Sequence, residues 1–430
     1  MTSRDPISKR IKEVRLQRGL SQAQLAHPEL SDSYISLIES GSRKPTPAVL
    51  ELLATKLGCS VSYLVNGIAA EEMEELELSL RYARLALENG EKTEARQRFT
   101  ELLADHRVAS LSTLRREAEY GLALSAEACG DLNEAISILL DLQRAPEDEL
   151  PQERRIAVAV ALTRCYQQKG DLGQAIEVGE RAMAEMTGEG WTDDLIELGA
   201  TLLAAYFERG DLLRAQHFAA ELMAAAEALG TPRAIVAANW NAASAADLAG
   251  RGQEAIPLAE RALAVQSETG ELRNLARLRI EYALIRLRNR PDDAATCRDL
   301  LLRSERELRE SAASTLDLAR CLQFLAMAEL NLGRPEQAAE HAKKSISLLD
   351  DNAIDLLADT QVILGQAYLL LGQSEQAAAA VNRAITLLDQ EPATRLTAES
   401  WFTAAAVLEE AGDLESSTFA YKRAMECSGL

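Results

Sequence analysis

Glycines stand 40 residues apart at Gly90, Gly130, Gly170, Gly210 and Gly250, each followed by a polar turn. A fixed period of that size marks stacked supersecondary units, in which each unit buries its apolar face against its neighbours. The series continues through a proline variant at Arg290-Pro291 and then Gly333, Gly372 and Gly412, giving nine units. Five residues past each turn stands Ala95, Ala135, Ala175, Ala215, Ala255, Ala295, Ala338 or Ala377, with Ser417 in the last unit. Seven residues before each turn lies a mostly small residue, in order Ala83, Ala123, Thr163, Leu203, Ala243, Ala283, Ala326, Gly365 and Ala405. Two helices per unit can therefore approach closely. The Ala- and Leu-rich composition, with only 4% aromatics, favours helix because such side chains lose little entropy there.

Tyr166, Tyr206 and Tyr368 occupy the place four before the turn. Small-x-x-Tyr, Gly-Asp-Leu, Ala resembles the tetratricopeptide (TPR) pattern, with a unit longer than the usual 34 residues or so. The resemblance implies an all-α, right-handed solenoid over residues 77–430 with a concave surface, residues 67–76 serving as a linker and start of helix.

The first 66 residues follow different rules. Ile7, Ile11, Val14 and Leu16 give Ile7–Arg18 a buried stripe that Gly19 ends. Ser21 with Gln24 forms a capping box for a short second helix, which Pro28 stops. Ser31 caps a third helix, Asp32–Ser40, with Ile35 and Ile38 facing inward. Thr46-Pro47 opens a fourth whose core face is Leu50, Leu53 and Leu57, and Ser60–Val65 closes a five-helix bundle.

Leu20-Ser21-Gln22, Leu25-Ala26, Ser33-Tyr34-Ile35-Ser36, Ile38-Glu39-Ser40-Gly41 and Arg43-Lys44-Pro45 then fall in one order. This resembles the Cro/C1, or XRE-type, helix-turn-helix family and covers residues 1–66. The resemblance implies a lambda-repressor-like domain whose third helix enters the major groove, with Gln22, Asp32, Ser33, Tyr34 and Ser36 facing DNA and Arg43 and Lys44 near phosphate. Asp32 also suits the first turn of any helix. Glu39 reads as structural, and Arg15 and Arg18 as phosphate contacts or a solvated face. The turn His27-Pro28-Glu29-Leu30 departs from the family pattern, where a glycine is common.

Charge follows this division. Residues 1–66 hold nine Lys/Arg against six Asp/Glu, the remainder 37 against 61, so an acidic body confines nucleic-acid contact to one end. The acidic run Glu71, Glu72, Glu74, Glu75 reads as a solvated helix face. The six cysteines lie far apart without metal-ligand spacing, and no apolar run suits a signal peptide or membrane span, which predicts a cytoplasmic protein. Phosphate-loop, zinc-protease, nucleophile-elbow and dinucleotide motifs are absent and the four histidines are scattered, so no catalytic residue, metal or cofactor is expected.

Repeat phase places Arg164, Gln168, Trp240, Arg277, Gln323, Asn331 and Gln366 on the concave face, with Asn239 flanking it. Amides there suit a peptide backbone and the arginines a carboxylate. The domain order resembles the RRNPP group of peptide-sensing, quorum-sensing bacterial regulators. It implies a homodimer on a pseudo-palindromic double-stranded operator, with a peptide or protein ligand in the TPR surface. The competing readings are a DNA-anchored TPR scaffold that recruits a protein partner and a ligand-independent repressor.

Overall fold

The computed structural model describes residues 6–146, 149–186, 188, 190–269, 272–310, 315–349 and 353–428. All regular elements among them are helices. The chain divides into two compact units, residues 1–88 with 93–122, and residues 89–92 with 123–430.

In the first unit, α1 (Pro6–Gln17), α2 (Gln22–Ala26), α3 (Asp32–Glu39), α4 (Pro47–Leu57) and α5 (Val61–Asn66) pack around Ile11, Leu25, Ile35, Ile38, Leu53, Leu57 and Leu64. Their starts are set by local chemistry. Ser21 Oγ accepts from Gln24 N at 3.1 Å while Gln24 Oε1 accepts from Ser21 N at 2.8 Å. Ser31, Thr46 and Ser60 cap α3, α4 and α5 in the same sense. Gly58 ends α4 at φ 64°, a left-handed conformation costly for other residues.

The stripe expected on α1 is corrected at one position. Ile11 and Val14 are buried, but Leu16 is 58% exposed and Arg15 is buried instead. Residues 7, 11, 14 and 15 share a helical face, whereas 16 lies a further 100° round it. Behind the bundle, α6 (Ala70–Glu88) begins inside the segment expected as a linker and packs with α7 (Lys92–Ala104) and the start of α8 (Ser112–Ala128) through Leu76, Leu80, Phe99, Leu102 and Leu114. The acidic start of α6 is tied down, with Glu72 capping Ala69 N at 2.9 Å and Glu75 pairing with Arg107 at 2.9 Å.

The second unit is itself a succession of helix pairs. From the end of α8 it runs through α9 (Leu132–Gln143), α10 (Gln152–Gln168), α11 (Leu172–Met186), α12 (Asp193–Arg209), α13 (Leu212–Leu229), α14 (Pro232–Leu248), α15 (Gly252–Thr269), α16 (Leu272–Asn289) and α17 (Ala294–Glu310). It ends with α18 (Thr315–Asn331), α19 (Pro335–Leu348), α20 (Ile354–Leu370), α21 (Ser374–Leu388), α22 (Arg395–Ala411) and α23 (Leu414–Ser428).

Each turn glycine of the period is the pivot between the helices of a pair, and all small positions seven residues before it are buried. At Gly365 the reason is direct, because a Cβ there would lie 2.4 Å from Val381 Cγ2 on α21. Of the alanines past the turns, Ala95, Ala135, Ala175, Ala215, Ala255, Ala338 and Ala377 are buried, but Ala295 is exposed and Ala294 is buried in its place. Pro291–Asp293 forms a 3-10 turn that advances the helix register by one residue. The row of first helices curves until α12 packs against α22, and the Gly170 turn meets Pro392.

Candidate nucleic-acid interface and solenoid cavities

The helix α2, its turn and α3 are braced from behind by two charged groups. The Arg15 guanidinium donates to both oxygens of Glu39, at 2.5 and 2.9 Å, and to the Leu20 carbonyl at 2.8 Å. Gln22 Nε2 donates to the same Glu39 carboxylate at 2.8 Å, so Gln22 is held at the start of α2 by the last residue of α3. Burial pushes the Glu39 carboxyl up, but bonds from Arg15 and Gln22 and the charges of Arg15 and Lys12 outweigh it and hold it below the usual range. Lys56 Nζ donates to the carbonyls of Leu25, Ala26 and His27 at 3.2, 3.1 and 2.7 Å and pairs with Glu29 at 2.5 Å, fixing the turn that departs from the family pattern.

With its back fixed, α3 turns Asp32, Ser33, Ser36, Leu37 and Ser40 outward. His27 Nε2 lies 3.4 Å from Asp32 Oδ1, and Ser33 Oγ is 3.1 Å from Ser31 Oγ. Tyr34 is half-buried against the core, and the Arg43 guanidinium stacks 4.8 Å from its ring centre. The loop carrying Arg43 and the exposed Lys44 folds back onto α3 through Ser42 N and Arg43 N, which donate to the Leu37 carbonyl at 3.0 and 3.2 Å. Asp32, Ser33, Ser36, Arg43 and Lys44 are therefore accessible, whereas Tyr34 positions Arg43. Glu39 is structural, as is Arg15. Arg18 donates to the Gly58 carbonyl at 3.1 Å, closing α1 onto the end of α4. Leu37, which the sequence reading did not single out, is exposed on the same face. It stands four residues past Ser33, one turn along that face.

In the solenoid, a cavity of about 390 Å³ opens across α14, α16 and α18, the first helices of three successive pairs. Trp240 and Val236 form its apolar wall. Arg277 faces Asp317 at 2.7 Å and Arg320 faces Glu281 at 3.3 Å. Burial pushes the Glu281 carboxyl up against the opposing pull of Arg320. Trp240 and Arg277 thus meet in one cavity.

Arg164 and Gln168 line another, of about 850 Å³, bounded by α8, α10 and α12 on one side and α20 to α22 on the other. There Arg164 is bidentate on Glu127, to which Gln168 donates at 3.0 Å. Asn239 and Gln323 are buried, at 3% exposure each, and Asn239 donates to the Ile235 carbonyl of its own helix at 2.9 Å. A residue flanking an inward-facing Trp240 on α14 necessarily points 100° away, which for Asn239 is into the helix pair. Asn331 is exposed at the end of α18 and Gln366 half-buried on α20, both outside these two cavities.

The helix-turn-helix family pattern matches residues 11–64, and the tetratricopeptide repeat pattern matches residues 358–387. Among solved structures, a Rap protein complexed with Competence and Sporulation Factor is 12% identical, with 83% of this chain and 98% of that one covered at a TM-score of 0.54. A Pyrococcus horikoshii signal-transduction ATPase with numerous domains and a tetratricopeptide repeat sensor is 14% identical at a TM-score of 0.50. It covers 98% of this chain, which spans 63% of that protein. Bacillus thuringiensis PlcR in complex with the peptide PapR7 and DNA is 14% identical over 81% of this chain and all of its own, at a TM-score of 0.32. The chain therefore carries a helix-turn-helix domain followed by a TPR-type helical solenoid. No helix among the described residues is long and apolar enough to cross a membrane.

Proposed function

We propose that this chain is a DNA-binding transcription regulator whose solenoid senses a peptide or other cytoplasmic ligand. The observation that carries the reading is the pairing of a braced helix-turn-helix, its polar face outward, with a solenoid cavity that combines an indole wall with two arginine–carboxylate pairs. A ligand backbone can exchange bonds with those pairs while an apolar side chain rests on Trp240. The Rap protein, which shares the solenoid fold, was solved complexed with Competence and Sporulation Factor, and that supports the use of the solenoid here as a ligand-binding surface.

By this reading two copies act together, placing two α3 helices on half-sites of a pseudo-palindrome about one DNA turn apart. Ligand in the solenoid changes the relative placement of the two readers and hence operator affinity. The test is selection of binding sites from random duplex DNA by the full chain, followed by footprinting. A short inverted repeat is expected, with Arg43→Ala/Lys44→Ala weakening all sequences alike and lowering the salt slope by about two. Selection of no discrete sequence would overturn the reading. Pools of short peptides should then raise the melting temperature of the wild type and shift operator affinity, with the response lost in Trp240→Ala.

A further inference from the structure

Helix α3 presents a narrow outward stripe of Ser33, Ser36, Leu37 and Ser40, which helical geometry stacks on one face at i, i+3, i+4 and i+7. Three of the four end in a hydroxymethyl group, so the helix backbone can come close to whatever it docks against. Leu37 is the one bulky member and is 44% exposed. The core places on α3 are taken by Ile35 and Ile38, both fully buried. The Leu37 carbonyl accepts from Ser40 Oγ at 2.9 Å and from Ser42 N and Arg43 N, so the loop fixes its backbone while its side chain stays outside. A lone exposed leucine is ordinary on a protein surface. Here it projects from the centre of a hydroxyl-lined stripe on the helix that a helix-turn-helix domain lays in the major groove.

The base pairs display one apolar group in that groove, the C5 methyl of thymine. We propose that Leu37 is a specificity-determining residue that reads a thymine methyl in each half-site. The inference rests on the DNA-binding reading above and deepens it. The serines on either side allow the approach, and the Arg43–Tyr34 stack next to them anchors the backbone at that register. The contact removes one methyl group and part of one leucine from water, so it is worth roughly a threefold to tenfold preference for thymine at that position.

The experiment uses the full chain and its selected site, with each thymine of the half-site replaced in turn by deoxyuridine, which keeps every hydrogen-bonding group and lacks only the methyl. At one position the wild type should lose about threefold to tenfold in affinity, and Leu37→Ala should bind thymine and deoxyuridine there equally. Deoxyuridine tolerated everywhere by the wild type overturns the proposal, as does an undiminished penalty in Leu37→Ala. Both would leave DNA binding intact. Failure to select any discrete sequence would overturn the DNA-binding reading together with this one. The first comparison uses the wild-type protein alone, and the second is a ratio of two affinities measured on one Leu37→Ala preparation, in which the exposed Leu37 side chain takes no part in the core.

Discussion

Arg15, Gln22 and Glu39 form one polar network, buried at Arg15 and Glu39, with two roles: holding α1, α2 and α3 together and fixing where α3 points. Glu39 is 5% exposed and Arg15 7%, so removing either partner strands a buried charge. We expect Glu39→Ala to cost about 3–5 kcal/mol in the stability of the helix-turn-helix, read as a matching loss of hydrogen-exchange protection at the Ile35 and Ile38 amides. Unchanged protection would mean that the pair contributes nothing net. Because the native Glu39 carboxyl is held below its ordinary range, the pair stabilises above about pH 4.3 and its contribution is lost as pH falls through the native value. The Glu39→Gln variant should lack that acid-side slope. The words of the sequence identified Glu39 as structural, but the spacing alone gave no hint that Arg15 lies 24 positions away as its partner.

At the scale of the helix pair, the turn and the small residue before it work as one device. The turn glycine reverses the chain, and the small side chain lets the returning helix close down. Gly365 is its tightest instance, and Gly365→Leu should destabilise the α20–α21 pair by about 1–3 kcal/mol or more through overpacking against Val381. The check is a melting-temperature comparison with Val381→Ala/Gly365→Leu, in which the extra space should return part of the loss. If the single and double variants melt together, the contact with Val381 is not what limits the site. Nearly all of this was legible as a 40-residue period. The exception, Ala294 for Ala295, required the 3-10 turn that the proline variant introduces.

For the solenoid as a whole, curvature brings α10 and α12 against α20 to α22 and encloses carboxylates that the sequence scatters over more than 200 positions. Burial pushes Glu208 up to about 7 and Asp359 up to about 6, against opposing bonds from Gln167 and Ser400. Glu127, Asp355 and Glu391 share the cavity with the cations Arg164 and Lys169. Folded, these two acids keep protons that the unfolded chain releases near pH 4, so the folded solenoid binds more protons between about pH 4 and 7 and loses stability as pH rises through that window. Thermal unfolding followed from pH 4.5 to 7.5 should show this fall, and Glu208→Gln/Asp359→Asn should flatten it. A wild-type profile already flat would show that the cavity stays open to water.

Whatever depends on neighbours along the chain was legible before folding. Periodicity, caps and turn glycines predicted a bundle of short helices followed by helix pairs, and the described residues form such helices, because helical packing and capping are decided within a few residues. The sequence also marked Trp240 and Arg277, whose phase in the repeat survives folding. Which side chains come together from separate elements depended on the tertiary fold: Arg15 with Glu39 and Arg43 on Tyr34 in the bundle, and Glu208 sharing a cavity with Asp359 in the solenoid. Small rotations between successive pairs accumulate around a solenoid, and no local pattern records where their sum brings two distant helices together.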